Sequence, residues 1–435
     1  RVSTMSELLL QGGRVIDKSG DRLADVLIGS DGLITEIGKG LKGGKTLDVQ
    51  GKIISSGFVD LNVYLGGPED QQSETILSGT ESAVKGGYTA VVAIAKDPVV
   101  ADNASSAAAM IEISQDALCE IIVAGSATLH NDAETMSPLG EISGNGIKLF
   151  SASGPPLTGY QTTRRIMEYS QKYGITLLYS SSNSFLSPKG AMNEGAVSSL
   201  LGIPGIPKVA EAIEVFQLSQ LALLTGASLH FQQISTAKSV EIISEAKSNG
   251  ASITCEISPH HFSLDESLIA SFDARYKVLP PLRTKQEIAR VKDLITSFDA
   301  IATGHSPCQD HLKHQAYTDA PFGTIGLETA LGASIKNLDL PLNEILRLLS
   351  WSPAEIAGIA DTHGGHLIPG RPANLTVFDP DAAWVAKGTH MASKCSVTAF
   401  EDIELKGLVS HTLVDGELVV INGVVQDNKG KGDQN

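Results

Sequence analysis

Cysteine is scarce in this chain. The four residues Cys119, Cys255, Cys308 and Cys395 lie far apart among 435 positions and form no Cys-x-x-Cys pair. That excludes a ribbon-type zinc site and a small disulfide-framed domain. Buried, reduced thiols are expected instead, with Cys119 and Cys255 inside apolar runs. Long hydrophobic runs are also missing. None approaches the length of a membrane span, and no basic-then-apolar leader opens the chain. No membrane partner is therefore expected, and a cytoplasmic location is. Positive charge is in short supply, with 33 basic residues against 49 acidic ones and a formal charge of −16. Such a field repels polyanions, so nucleic acid is not an expected partner. No Gly-x-Gly-x-x-Gly follows an early strand, which counts against an open dinucleotide-binding sheet.

The chain is 42% hydrophobic with 43 glycines, enough for a large core and many turns. Its two ends read alike. Leu8–Ile16, Leu23–Ile28 and Leu33–Ile37 are short strand runs separated by Lys18-Ser19-Gly20 and Ser30-Asp31-Gly32. Near the other end, Asn374–Phe378, Ile403–Leu408 and Ser410–Leu413 lead through Val414-Asp415-Gly416-Glu417, a hairpin signal, to Leu418–Ile421. Neither end has enough strand to cover a sheet face alone. Residues 1–55 and 365–435 are expected to share one small β domain, with a disordered end at Asp427–Asn435.

Residues 56–364 have another rhythm. Apolar strand runs near 57–65, 88–95, 119–128, 146–153, 175–181, 227–235, 252–259 and 299–307 alternate with helical patterns. These patterns lie near 75–86, 101–115, 157–172, 208–225, 236–249 and 284–297. Eight buried strands with intervening helices predict a parallel (β/α)8 barrel, an α/β fold.

Several blocks carry a family likeness. The segment Gly57-Phe58-Val59-Asp60-Leu61-Asn62-Val63-Tyr64 resembles a first barrel strand ending in Asp-x-His-x-His. Further blocks follow in order: Ser78-Gly79-Thr80 with Gly86-Gly87, Asn193-Glu194-Gly195 before Leu201-Gly202-Ile203-Pro204, Pro259-His260-His261, Pro280-Pro281-Leu282-Arg283, and Ala320-Pro321-Phe322-Gly323 through Leu327-Glu328. Together they resemble the amidohydrolase superfamily, and within it the dihydroorotases and their non-catalytic relatives, over nearly the whole chain.

The resemblance implies zinc ligands at the C-terminal strand ends, where metals would activate water and polarise a carbonyl. The corresponding positions here hold Asn62, Tyr64, Ser153, Ser180, Gln233 and Gly304. These are poor zinc ligands, and Gly304 replaces the carboxylate that acts as general base in the family. The positions that would clamp a substrate carboxylate hold Gly66, Ala95 and Cys308. No zinc and no catalytic residue are expected at this site.

The implied role is a non-catalytic, dihydroorotase-like protein of pyrimidine biosynthesis. It would act as a structural partner of aspartate carbamoyltransferase and form a homo-oligomer. One alternative is an active dihydroorotase or related cyclic-amide hydrolase with an unorthodox site, drawing on His305, Cys308, His311 and His314. Another is a metabolite-binding sensor. Of the remaining motif residues, Asp60, His260 and His261 are read as structural, Arg283 as a tie between a loop and a carboxylate, and Tyr64 and Phe150 as filling the volume left by metal and water.

Overall fold

The computed structural model describes residues 6–66, 71–95, 100–132, 134–152, 160–180 and 185–426. Ser153 and the tail Asp427–Asn435 lie outside the described residues.

Both ends of the chain enter one nine-stranded sheet. The N-terminal part supplies Leu8–Asp17, Gly20–Ile28, Ile34–Gly38, Lys45–Asp48 and Ile53–Ser56, and the C-terminal part supplies Leu375–Val385, Glu404–Val414, Glu417–Ile421 and Val424–Val425. The join is antiparallel, from Leu375 opposite Ser56 to Phe378 opposite Ile53. Leu8, Leu10, Val26, Ile54, Val377 and Leu413 share its core. The Asp415-Gly416 turn has φ of 48° and 82°, the positive pair a tight hairpin needs. The two short runs expected at 403–408 and 410–413 are one strand, Glu404–Val414. A bulge at Ser410 shifts the register between Val377–His411 and Phe378–Val409, and an inserted residue of this kind looks like a break in sequence.

The middle of the chain forms the expected barrel. Its strands are Phe58–Val63, Tyr88–Ala93, Glu120–Val123 continued by Gly125–Ser126, Leu149–Ala152, Thr176–Ser180, Ser228–Gln232, Ile253–Ile257 and Ala300–Ile301. All pairings along the ring are parallel. The third strand bends, so that its first piece pairs with the second strand and its last two residues with the fourth. A bridge between Val63 and His305 closes the ring, and the Tyr64 N–H donates to the His305 carbonyl at 2.9 Å. Alternate residues face inward, so Val59, Leu61, Ala90, Val92, Ala124, Leu149, Leu178, Ala300 and Ala302 form an inner apolar cluster.

The eighth strand is much shorter than the run 299–307. Beyond Ile301 the Thr303 N–H is taken by the Asp60 carboxylate at 3.0 Å. Gly304 follows at φ +60°, a conformation incompatible with a continuing ladder.

Helices cover the barrel near the expected places: Ile76–Lys85, Ala104–Ile113, Tyr160–Tyr173, Lys208–Thr225, Ala237–Ser248 and Lys285–Asp293. Thr75 caps the first through its side chain, and Ser78 returns the bond in a capping box. Thr236 caps Ala237–Ser248. Among the described residues, no helix is long and apolar enough to cross a membrane.

Candidate functional site at the barrel mouth

The strand ends and following loops enclose a cavity of about 420 Å³. This is the end of a β/α barrel where functional sites are built. Asn62, Ser180, Gln232, Gln233, His260, Gly304 and His305 line it, with Ile94, Val278, Leu279, Pro321 and Phe322 as apolar wall. Four of the sequence-selected positions, Asn62, Ser180, Gln233 and Gly304, are thus brought together. Tyr64, Gly66, Ala95 and Cys308 do not line the cavity. Tyr64 and Ala95 are buried, as is Cys308. Phe150 is also away from the cavity, beside Gly125 and Ile142. The expected filling of the mouth by Phe150 is therefore corrected: the pleat sends that side chain away from the opening.

Beneath the cavity lies a buried polar chain. Asn62 Nδ2 donates to Glu256 Oε1 at 2.8 Å. Glu256 Oε2 pairs with His230 Nε2 at 2.9 Å, and His230 Nδ1 lies 2.8 Å from Thr254 Oγ1. A carboxylate can only accept, so Asn62 turns its nitrogen toward Glu256 and His230 carries its proton on Nε2. Asp60 is fully buried nearby. Burial pushes its carboxyl up to about 7, opposed by hydrogen bonds from Thr303 and Asn62 and reinforced by the charge of Glu256. The sequence reading missed Glu256 and His230. The available signal was a charged or imidazole side chain inside each of two otherwise apolar strands.

Gln233 and Gly304 form the other notable pair. Gln233 Nε2 donates to Ser258 Oγ at 3.2 Å. A Cβ on Gly304 would collide with Gln233 Nε2 and lie 2.9 Å from Ser258 Oγ. The glutamine amide thus fills the space into which a side chain at 304 would project.

The fold implies zinc, and these residues do not fit it. Asn62, Gln233 and Ser180 offer only neutral oxygen donors, and Gly304 offers no side chain. Among the described residues, no three His, Cys, Asp or Glu side chains converge to hold a metal ion. That also overturns the alternative cluster of His305, Cys308, His311 and His314. His305 is buried, with Nε2 3.3 Å from Glu74 Oε2 and Nδ1 accepting from the Gly326 N–H at 3.3 Å. His311 and His314 are exposed on the turn Asp310–His314. Spacing of three brought similar residue types near in sequence, but the short turn points them apart. The segment is also anchored. Lys313 is buried and donates to the Ala274 and Lys277 carbonyls at 2.9 and 3.1 Å, while burial lowers its ammonium to about 8.

The retained motif residues serve packing. His261 Nε2 donates to the Pro280 carbonyl at 2.8 Å. Burial lowers the His261 ring to about 4 and His260 well below its ordinary value, so both are neutral at pH 7. Arg283 is 2% exposed. It donates to Ser235 Oγ at 3.0 Å and Asn193 Oδ1 at 2.9 Å, and reaches Glu211 Oε2 at 3.5 Å. Glu211 in turn accepts from the Thr236 N–H at 3.0 Å and Oγ1 at 2.8 Å. Two separated motif blocks therefore meet the segment after the sixth strand and helix Lys208–Thr225 at one buried ion pair.

A (β/α)8 barrel with a terminal β domain is the class these features define. The description of the Amidohydrolase family matches residues 52–419, and the chain belongs to that family. A protein of Geobacter metallireducens named dihydroorotase is 36% identical over 423 residues, covering 95% of this chain and 99% of its own. One from Geobacter sulfurreducens, also named dihydroorotase, is 35% identical over 427 residues, covering 96% and 100%. Similar solved structures include the dihydropyrimidinase from Brevibacillus agri NCHU1002, with TM-score 0.84, 20% identity and 96% of each chain covered. A D-hydantoinase from Thermus sp. gives 0.84 at 20% identity, covering 98% of this chain and 97% of that one. At that identity they establish the (β/α)8 barrel with its β domain and nothing about chemistry.

Proposed function

We propose that the chain is a dihydroorotase-like protein of pyrimidine biosynthesis that has lost zinc chemistry and works as a structural partner, with aspartate carbamoyltransferase as the candidate. The family membership and the dihydroorotase-named relatives support the pathway. The observation that carries the loss of catalysis is the Gln233 amide, held on Ser258 in the space a side chain at 304 would need. Gly304 itself carries no general base, a side chain there would have to displace the Gln233 amide, and the amides and hydroxyl of Asn62, Gln233 and Ser180 are weak zinc ligands.

The test is elemental analysis of purified protein with a dihydroorotate assay in both directions, followed by size-exclusion chromatography with and without aspartate carbamoyltransferase. The expected result is sub-stoichiometric zinc, no turnover, a homo-oligomer alone and a larger co-eluting species with the partner. Stoichiometric zinc, or turnover abolished by a Gln233 substitution, overturns the loss of catalysis. Separate elution at micromolar concentration, with no mutual effect on stability, overturns the partnership. The retained cavity favours a second reading, a metabolite-binding sensor in which the mouth binds without reacting.

A further inference from the structure

Two of the amides that line the cavity are held with their carbonyl oxygens free. Asn62 has its amide nitrogen fixed on Glu256 at 2.8 Å, which leaves its carbonyl oxygen as an acceptor at the cavity. Gln233 has its nitrogen on Ser258 Oγ at 3.2 Å, which likewise leaves its carbonyl oxygen. His260 is 2% exposed, lines the same cavity, and its buried Nε2 has no hydrogen-bond partner. A buried polar atom without a partner costs free energy that a bound hydrogen-bonding group recovers.

The charge has the same sense. No Lys or Arg among the described residues lines the cavity. Lys277, whose ammonium lies 4.9 Å from the Phe322 ring centre, donates instead to the Thr318 carbonyl at 2.8 Å. Behind Asn62 stands the Glu256 carboxylate, with Asp60 beside it. An anion entering here would meet carbonyl oxygens backed by acidic groups, with no lining cation among the described residues to pair with. Phe322 adds an aromatic wall, a ring that already carries the Lys277 ammonium as one cation.

We propose that this cavity binds a small, planar, hydrogen-bond-donating cation of the guanidinium class. The Asn62 and Gln233 carbonyl oxygens receive its N–H groups, Glu256 holds the Asn62 amide in the accepting orientation, and the bound species is not turned over. The proposal rests on the reading that zinc has been lost, because a metal cation at the same mouth would repel this ligand.

The test uses methylguanidinium chloride as probe, with sodium acetate and acetamide as the anionic and neutral comparisons at matched ionic strength. Binding is followed by saturation-transfer NMR and titration calorimetry on the full chain. Methylguanidinium is expected to bind at least about tenfold more tightly than either comparison, the margin of one charge-assisted hydrogen bond. Gln233→Lys should abolish binding and Gln233→Glu should strengthen it. Such opposite effects at one position cannot both come from misfolding, and circular dichroism checks each variant. Glu256→Gln frees the Asn62 amide to turn over and should weaken binding about tenfold. Acetate or acetamide binding as well as the cation overturns the proposal, as does equal binding by the lysine and glutamate variants. Zinc content and dihydroorotate turnover on the same preparation separate the two failures. Zinc present removes the underlying reading, whereas zinc absent with no cation preference removes this inference alone.

Discussion

Gly304 shows how one residue decides what its neighbours can do. Its φ of +60° is a region that glycine reaches freely and most side chains reach at a cost. The Gln233 amide fills the adjacent space. Gly304→Asp, the substitution that restores the family carboxylate, should therefore destabilise the fold by about 1–3 kcal/mol through backbone strain and displacement of Gln233 from Ser258. It should restore neither zinc binding nor turnover. The two positions also share one space, so their effects should not add. Gln233→Gly vacates the space, and the Gly304→Asp penalty should shrink in that background. Urea unfolding of the four-member cycle measures this. An unchanged penalty would mean that the amide is not the obstacle.

At the scale of elements, Arg283 ties its own loop to three other chain segments. Its guanidinium joins the loop before Lys285–Asp293 to Asn193, to the strand-six end at Ser235, and to Glu211 on helix Lys208–Thr225. Removing one partner of a buried pair leaves the other charge uncompensated. Arg283→Met should cost about 3–5 kcal/mol, and Arg283→Lys less, because it keeps the charge but loses the fork. Thermal unfolding checks the order, and equal losses would contradict it. The same residues show what was legible in sequence. Pro280–Arg283 and Asn193-Glu194-Gly195 could be read as family blocks, and Arg283 as a structural tie, but nothing in their spacing shows that they meet. Barrel strands one to seven and six helices were legible because buried runs and periodicity are local. The length of the eighth strand was not, because its early end depends on a hydrogen bond from Thr303 to Asp60, some 240 residues away along the chain. The buried relay under Asn62 was hidden for the same reason. Each member looked like a polar exception in an apolar strand, and only closure of the barrel makes them partners.

Over the whole molecule, buried titratable groups set a pH optimum, and their opposing signs can be worked out. His261 and His363 are 1% and 3% exposed. Burial lowers both to about 4, opposed by hydrogen bonds to the Pro280 and Thr89 carbonyls. The unfolded chain takes up these protons near pH 6.5 and the native chain only near 4. Their stabilisation is therefore complete above about 6.5 and is lost as the pH falls toward 4. Each contributes a loss on the order of 2 kcal/mol by pH 5. Asp60 works the other way. Its folded value of about 7 exceeds the usual 3.8, so the native state holds the proton more firmly. Stability from this group falls as the pH rises through that interval, and on acidification from 7 to 5 it returns about 2 kcal/mol. Two histidines outweigh one aspartate, so the native chain should lose net stability between pH 7 and pH 5. Asp60→Asn should make that loss steeper. His261→Gln, whose amide can still donate to Pro280, should make it shallower. Urea midpoints at pH 5, 6 and 7 decide the matter. Parallel pH profiles for all three proteins would show that these groups do not govern acid stability, and a steeper His261→Gln profile would reverse the sign assigned to it.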